Sequence, residues 1–400
     1  MVIIGAGKAG ARAPISLREH GWKGRITLIG EEPLAPYDRP PLSKAAMTAA
    51  EEPAPVFLLD DELLQALDVT FIANATATDI DRAEKEVVLA DGRRIPYQKL
   101  LIATGARARR LALPGAERAL MLRDFHESVA LRAACAPGRS VAIIGGGFIG
   151  LELAASASQR GCKVTVIEAQ PRILMRGVTE AVARRIAARH EAAGVVLLTG
   201  IGVERIEADA VVLSDGRRIP AEIVIAGIGA APAVALAEAS GLALDNGIAC
   251  DVEMRTSDPD IYAAGDCCSF PHGLYGGRRL RLEAWRSAQD QAAVAAENML
   301  GGHRQFTAVP WFWSDQYELN LQIAGLPSDG VSSCTRPMKD DAFIEFHLDG
   351  EGRLVGASGI GRGNAIARDI KLAEMLIAKG ARPDQAALAH PDVALRGLLK

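Results

Sequence analysis

Aromatic residues make up only 4% of the 400 positions, cysteine occurs six times, and neither sign of charge is in strong excess. Each shortage excludes something. A formal net charge of -4 gives no global attraction to nucleic acid or anionic lipid, so any charged docking must be local. The longest nearly uncharged apolar run, Ile223–Ala237, is broken by glycines and a proline and falls short of the ~18 residues a membrane span needs. Nothing at Met1 resembles a secretory leader, so a cytoplasmic protein is expected. Among Cys135, Cys162, Cys250, Cys267, Cys268 and Cys334, no pair has the spacing of a zinc site or a Cys-x-x-Cys redox motif. They read as small buried residues; a vicinal redox or metal role for Cys267 and Cys268 is the alternative. What remains, 49% apolar and 24% charged, is an ordinary globular chain with room for roughly two to four domains.

What the chain has in plenty is repetition. "VIIGAGKAG" at Val2–Gly10 returns as "VAIIGGGFIG" at Val141–Gly150, each where an apolar strand runs into a helix. Each is followed by a second strand ending on acid, "RITLIGEE" at Arg25–Glu32 and "KVTVIEA" at Lys163–Ala169. A further echo joins "VVLADGRRIPYQKLLIATGA" (Val87–Ala106) to "VVLSDGRRIPAEIVIAGIGA" (Val211–Ala230), each a strand, an Asp-Gly turn, a strand and a buried strand ending in glycine. A lone GxGxxG is weak, but strand, spacing and acid recur in both copies. Gly5 and Gly145 permit the tight turn, Gly7 and Gly147 let the backbone approach a pyrophosphate, and Gly10 and Gly150 let helix and strand pack closely. The helix N-terminus then faces the phosphates.

The acids choose the ligands. Glu31 and Glu168 lie a little beyond the ~20 residues expected after the first glycines, where a carboxylate can accept both ribose hydroxyls. Opposite Glu168 a 2′-phosphate brings like charge, costing roughly 1 to 4 kcal/mol per charge pair at about 4 Å. Arg172 and Arg176 could soften this, so NADH is favoured over NADPH. Two such units in one chain point to two cofactors held face to face, a flavin on the first and a nicotinamide on the second.

The chain resembles the flavoproteins with two dinucleotide-binding domains, and specifically the FAD-dependent ferredoxin reductases of bacterial oxygenase systems. Besides the glycine motifs, the resemblance rests on "LLIATGA" (Leu100–Ala106), "TSDPDIYAAGD" (Thr256–Asp266), "LEAWRSAQDQA" (Leu282–Ala292) and "PWFWSDQY" (Pro310–Tyr317). It implies an α/β fold with glutathione-reductase-like FAD and NAD domains, both Rossmann-like, and a C-terminal α+β domain. The expected division is residues 1–106 with 230–306 for FAD, 107–229 for NAD, and 307–400 for the C-terminal domain. In that last part "AFIEFHL" and "RLVGASGI" read as strands and "AIARDIKLAEMLIAKG" as an amphipathic helix. The resemblance assigns Asp266 to the flavin's sugar-alcohol chain, where a carboxylate accepts hydroxyl hydrogen bonds. It adds Arg39, Lys44, Ala77, Thr104, Gly105, Arg123, Ala284 and Trp285 to the FAD site, and Ile149, Arg176 and Gly229 to the NAD site.

The stretch "PYDRPPLSK" (Pro36–Lys44) carries the distinguishing residue. Disulfide- and peroxide-reducing relatives hold a redox cysteine near this point; here Leu42-Ser43 leads into Lys44, and no cysteine precedes Cys135. Thiol exchange at that place is excluded. A lysine ammonium can instead stabilise the negative charge of a reduced flavin. The resemblance pairs it with Glu152, in "GLELA"; a solvated loop lysine and a helix-surface acid are the plainer alternatives. Pro40 and Pro41 are expected to hold this loop extended.

Without a thiol relay, reduced flavin can release its electrons singly to a one-electron acceptor, and the resemblance implies that this is a small acidic 2Fe-2S ferredoxin feeding a Rieske oxygenase or a haem-thiolate monooxygenase. Arg278, Arg279, Arg281 and Arg286 form a local basic stretch that could steer such a partner, with an arginine-rich solvated hairpin as the alternative. Trp285, Trp311 and Trp313 could stack on a cofactor ring or line the docking surface, Trp313 being the docking candidate, or simply pack a core. No metal ligand set is expected. The expected activity is NADH:ferredoxin reduction by a monomer or homodimer; a rubredoxin reductase, an NADH oxidase or an NADH-switched signalling flavoprotein are the alternatives. Pro14 falls inside the first nucleotide helix, where an interior proline costs up to roughly 3 kcal/mol.

Overall fold

A computed structural model describes residues 1–175 and 177–399. It divides into two compact units, the first made of 1–38, 55–107 and 231–310, the second of 39–54, 108–230 and 311–400.

The first unit is built on a parallel sheet whose strands run in the order Ile261–Ala263, Leu100–Ile102, Val2–Ile4, Ile26–Ile29, Val69–Ile72. Nearly every side chain of the inner strands is buried, as a sheet covered on both faces requires. Helices Lys8–Glu19 and Trp285–Met299 pack together, and their alanines and Leu17 join one continuous core with the sheet. Pro14 lies inside the first helix, which runs unbroken through it. A three-stranded antiparallel sheet, Ala77–Asp81, Glu86–Leu89 and Arg94–Pro96, branches from this unit.

The second unit repeats the plan. Its parallel sheet runs Val196–Thr199, Lys163–Glu168, Ser140–Ile144, Ile223–Ala226, with the glycine-turn strand again between the acid-ending strand and the glycine-ending strand. Its own antiparallel branch is Val203–Ile206, Ala210–Leu213, Arg218–Pro220. The two Asp-Gly turns are built alike: Asp91 and Asp215 each accept the backbone N–H two residues on, at 3.0 and 3.1 Å, and Gly92 and Gly216 take φ of 86° and 84°. The same unit holds a five-stranded antiparallel sheet, ordered Trp311–Gln316, Leu319–Gly325, Leu354–Arg362, Phe343–Leu348, Ser332–Pro337. One face buries Phe312, Leu319, Leu321, Ile323 and Ile360 in a core shared with helix Phe148–Gln159. Helix Ala367–Ala378 covers the other, with Ile366 and Ile370 seated over Gly359.

One expectation is corrected. Pro40 and Pro41 do not extend the chain; Pro40–Ser43 is a 3-10 turn with proline in its first positions. A proline φ near −65° suits a helical first turn as well as an extended segment, and the missing N–H is one that no helix start can pair.

Candidate functional site: two nucleotide cradles and a buried ion pair

Both glycine turns are sterically fixed. Gly5 and Gly145 take φ of 104° and 109°. A Cβ on Gly10 would stand 1.8 Å from the Gly5 carbonyl oxygen, and one on Gly150 would stand 2.1 Å from that of Gly145. Gly7 and Gly147 begin the helices Lys8–Glu19 and Phe148–Gln159, which have no side-chain cap and no acid in the first turn. Their leading N–H groups are free of the side chains that usually satisfy them, and a Cβ on Gly147 would meet nothing nearer than the Gly227 oxygen at 4.0 Å. An uncapped positive helix end suits a pyrophosphate in each unit, and in the second the space before it is open.

In the first unit, strands ending at Ile4, Ile29, Ile102 and Ala263 share one carboxyl edge, so Gly5, Glu31, Thr104, Gly105 and Asp266 gather there. The exposed Glu31 carboxylate pairs with Arg107 at 3.1 Å. The Thr104 hydroxyl donates to the Ala233 carbonyl at 2.8 Å, and Gly105 takes φ of 69°. Ala77 opens the first strand of the antiparallel branch. Ala284 precedes helix Trp285–Met299, and the Trp285 indole N–H donates to Asp38 at 2.5 Å. The Lys8 ammonium lies 3.6 Å from the Trp285 ring centroid; burial lowers its pKa, with Asp38 opposing. Sequence reasoning passed over Lys8 and Asp38, although Lys8 directly follows the second glycine of its motif.

In the second unit, Glu168 ends its strand with one carboxylate oxygen accepting the Gly146 N–H and the other the Gln170 N–H, both at 2.7 Å. The acid is thereby locked to the glycine turn. Ile149 is exposed on the first turn of the helix, and Gly229 takes φ of 97°. The Arg172 guanidinium is held by the loop backbone, donating to the Ile173, Met175 and Val178 carbonyls at 3.1, 3.4 and 2.8 Å. Arg176 lies outside the described residues.

Lys44 and Glu152 meet. Their charged atoms are 3.1 Å apart, with the Lys44 side chain 21% exposed and Glu152 4%. The carboxylate also accepts the Ser43 and Ser314 hydroxyls at 2.5 and 2.6 Å, so both oxygens are satisfied and its burial is compensated. The turn that carries the lysine is clamped by hydroxyls from two helices: Ser128 donates to the Leu42 carbonyl and Ser156 to that of Ser43, each at 2.7 Å. Arg39 donates to the Arg123 carbonyl, bringing these two residues together. The ammonium also lies 5.6 Å from the Trp313 ring, which stacks on Trp311 at 5.3 Å.

The arginines of the basic stretch differ in their surroundings. Arg278 is exposed. Arg279 is half-buried: it pairs with the exposed Asp245 at 3.1 Å and donates to the Cys250 and Ser269 carbonyls at 2.9 and 2.8 Å. Arg281 pairs with Glu283. Five cysteines are buried and Cys334 is half-buried; burial pushes the Cys135 thiol up to about 12 and Cys267 up to about 11, which disfavours the thiolate of these two. Among the described residues no group of metal-ligating side chains is found, and no helix is long and apolar enough to cross a membrane.

Residues 1–292 match the pyridine nucleotide-disulphide oxidoreductase family, and residues 311–399 match the reductase C-terminal domain. The chain is 40% identical to the ferredoxin--NAD(+) reductase component of the anthranilate 1,2-dioxygenase system of Burkholderia cepacia, covering 100% of this chain and 98% of that one. It is 37% identical to a rubredoxin-NAD(+) reductase of Pseudomonas putida, over 93% and 99% of the two chains. Among solved structures, putidaredoxin reductase in its covalent complex with putidaredoxin superposes with a TM-score of 0.94 at 33% identity, over 100% of this chain and 97% of that one. The chain belongs to the pyridine nucleotide-disulphide oxidoreductase family, in the group of ferredoxin reductases that carry the reductase C-terminal domain.

Proposed function

We infer that the chain is an FAD-containing ferredoxin reductase, which takes a hydride from NADH and passes single electrons to a 2Fe-2S ferredoxin serving a Rieske-type or haem-thiolate oxygenase. The observation that carries this reading is the Lys44–Glu152 pair, a fixed charge where thiol-dependent relatives need a cysteine. Bound FAD supplies the exchange between a two-electron donor and a one-electron acceptor.

The residues divide the work. The turn Gly5–Gly10 and the edge residues Glu31 and Asp266 hold FAD, while Gly145–Gly150 and Glu168 hold NADH and disfavour a 2′-phosphate. Lys44, kept in place by Glu152, offers positive charge to the reduced cofactor. Arg278 in the first unit and Trp313 in the second are each candidates for contact with the acceptor, which on this reading is acidic. A monomer or homodimer in the cytoplasm, where NADH is at hand, completes the reading.

The rubredoxin reductase among the relatives makes the acceptor the point to test. Steady-state NADH oxidation is measured with a 2Fe-2S ferredoxin, with a rubredoxin, and with oxygen alone. Turnover raised by ferredoxin and weakened by salt is expected; turnover raised only by rubredoxin, or undiminished with oxygen alone, refutes the assignment.

A further inference from the structure

The Lys44–Glu152 pair is the end of a longer line of buried polar groups. Ser314 and Gln316 point from strand Trp311–Gln316 into the core, and His190 faces them from helix Glu180–Ala192. All three are buried. The hydrogen bonds fix their own direction. Gln316 Oε1 lies 2.8 Å from His190 Nε2, and an amide oxygen only accepts, so the proton sits on Nε2. His190 Nδ1 is then the acceptor toward the Tyr317 hydroxyl at 3.4 Å. Burial lowers the His190 pKa, consistent with this neutral tautomer. Gln316 Nε2 donates to Ser314 Oγ at 3.2 Å, which leaves the Ser314 proton to go to Glu152 Oε1 at 2.6 Å, the oxygen that Lys44 also meets. Every donor points the same way and the line ends on the carboxylate, an arrangement in which each bond polarises the next.

We propose that Ser314, oriented by Gln316 and His190, is a positioning residue that fixes Glu152 and through it the Lys44 ammonium. The line joins residues far apart in sequence, so the placement of one charge depends on the packing of the C-terminal sheet against helices Phe148–Gln159 and Glu180–Ala192. The proposal rests on the reading of Lys44 as the cation that favours reduced FAD. Without the Ser314 hydroxyl, Glu152 loses a charge-assisted hydrogen bond and a Gln316 N–H loses its acceptor.

The test is the flavin midpoint potential of the holoenzyme, with melting temperature alongside, for Lys44→Met, Ser314→Ala and the double variant. Lys44→Met is expected to disfavour the reduced state by about tenfold, near 30 mV for a two-electron couple, and Ser314→Ala by a smaller factor in the same direction. The double variant should match Lys44→Met alone, because Ser314 acts only through the lysine. Ser314→Thr, which keeps the hydroxyl, should restore the wild-type potential. Should Ser314→Ala fail to fold, Gln316→Leu reads the same line one link away. A normal Lys44→Met effect with no shift in Ser314→Ala, or with additive shifts, overturns the proposal and leaves the lysine's role standing. An unchanged potential in Lys44→Met overturns both.

Discussion

Two glycines three positions apart should respond oppositely to alanine. Gly147 has φ of −81° and ψ of −177°, which alanine adopts without strain, and its added Cβ would find its nearest neighbour at 4.0 Å. Gly147→Ala should therefore fold with wild-type stability to within about 1 kcal/mol, since reduced freedom of the unfolded chain gives a small gain. The methyl nevertheless occupies the space assigned to the pyrophosphate, and NADH binding should weaken tenfold or more, about 1.4 kcal/mol. Gly150→Ala places a Cβ 2.1 Å from the Gly145 oxygen, a backbone atom that cannot move aside without opening the turn. Overpacking of this kind costs about 1 to 3 kcal/mol or more, and several degrees of melting temperature. Circular-dichroism melting and the NADH dependence of anaerobic flavin bleaching, with flavin content as control, separate the two. Wild-type NADH affinity in Gly147→Ala, or wild-type melting in Gly150→Ala, refutes the assignment of these glycines.

Glu168→Ala should lower the preference for NADH over NADPH by tenfold or more while leaving flavin content unchanged, as the ratio of kcat/KM values would show. His347 is buried and its pKa is lowered to about 4 by burial, below the unfolded value near 6.5. The folded protein then binds fewer protons, so stability is full above about pH 6.5 and falls as pH drops toward 4; between pH 7 and 5 the loss is about 2 kcal/mol. Urea unfolding at the two pH values, with His347→Phe expected to flatten the difference, checks this. Arg160 donates to the carbonyls of Met47, Arg132 and Cys135 at 2.9 to 3.0 Å, tying the segment after Lys44 to two helix ends. Arg160→Met should cost about 1 to 3 kcal/mol in melting experiments and slow flavin reduction by NADH.

The duplicated glycine turns were legible because their constraint is local: a missing Cβ, a positive φ and a helix start are all set within a few residues. The Asp-Gly hairpins were legible for the same reason. Pro40 and Pro41 misled because proline's fixed φ serves both extended and 3-10 backbone, and only the neighbours decide. Arg279 and Arg172 look like free cations in sequence; their partners, Asp245 and the loop carbonyls, are set by the fold. Ser43, Ser128, Ser156 and Ser314 gave no signal, since a hydroxyl adds nothing to hydrophobic periodicity and its partner here is usually a distant residue. Pro14 raised a doubt that the helix does not share: it keeps its buried face on the sheet, and that packing outweighs the one backbone bond a proline removes.

The central claim is most directly tested by anaerobic stopped-flow mixing of the holoprotein with NADH or NADPH, followed by mixing with a 2Fe-2S ferredoxin. Rapid bleaching with NADH, slower bleaching with NADPH, and prompt reoxidation by ferredoxin are predicted. Slow bleaching by NADH, or reduced flavin that ignores ferredoxin and reacts readily with oxygen, would contradict the account.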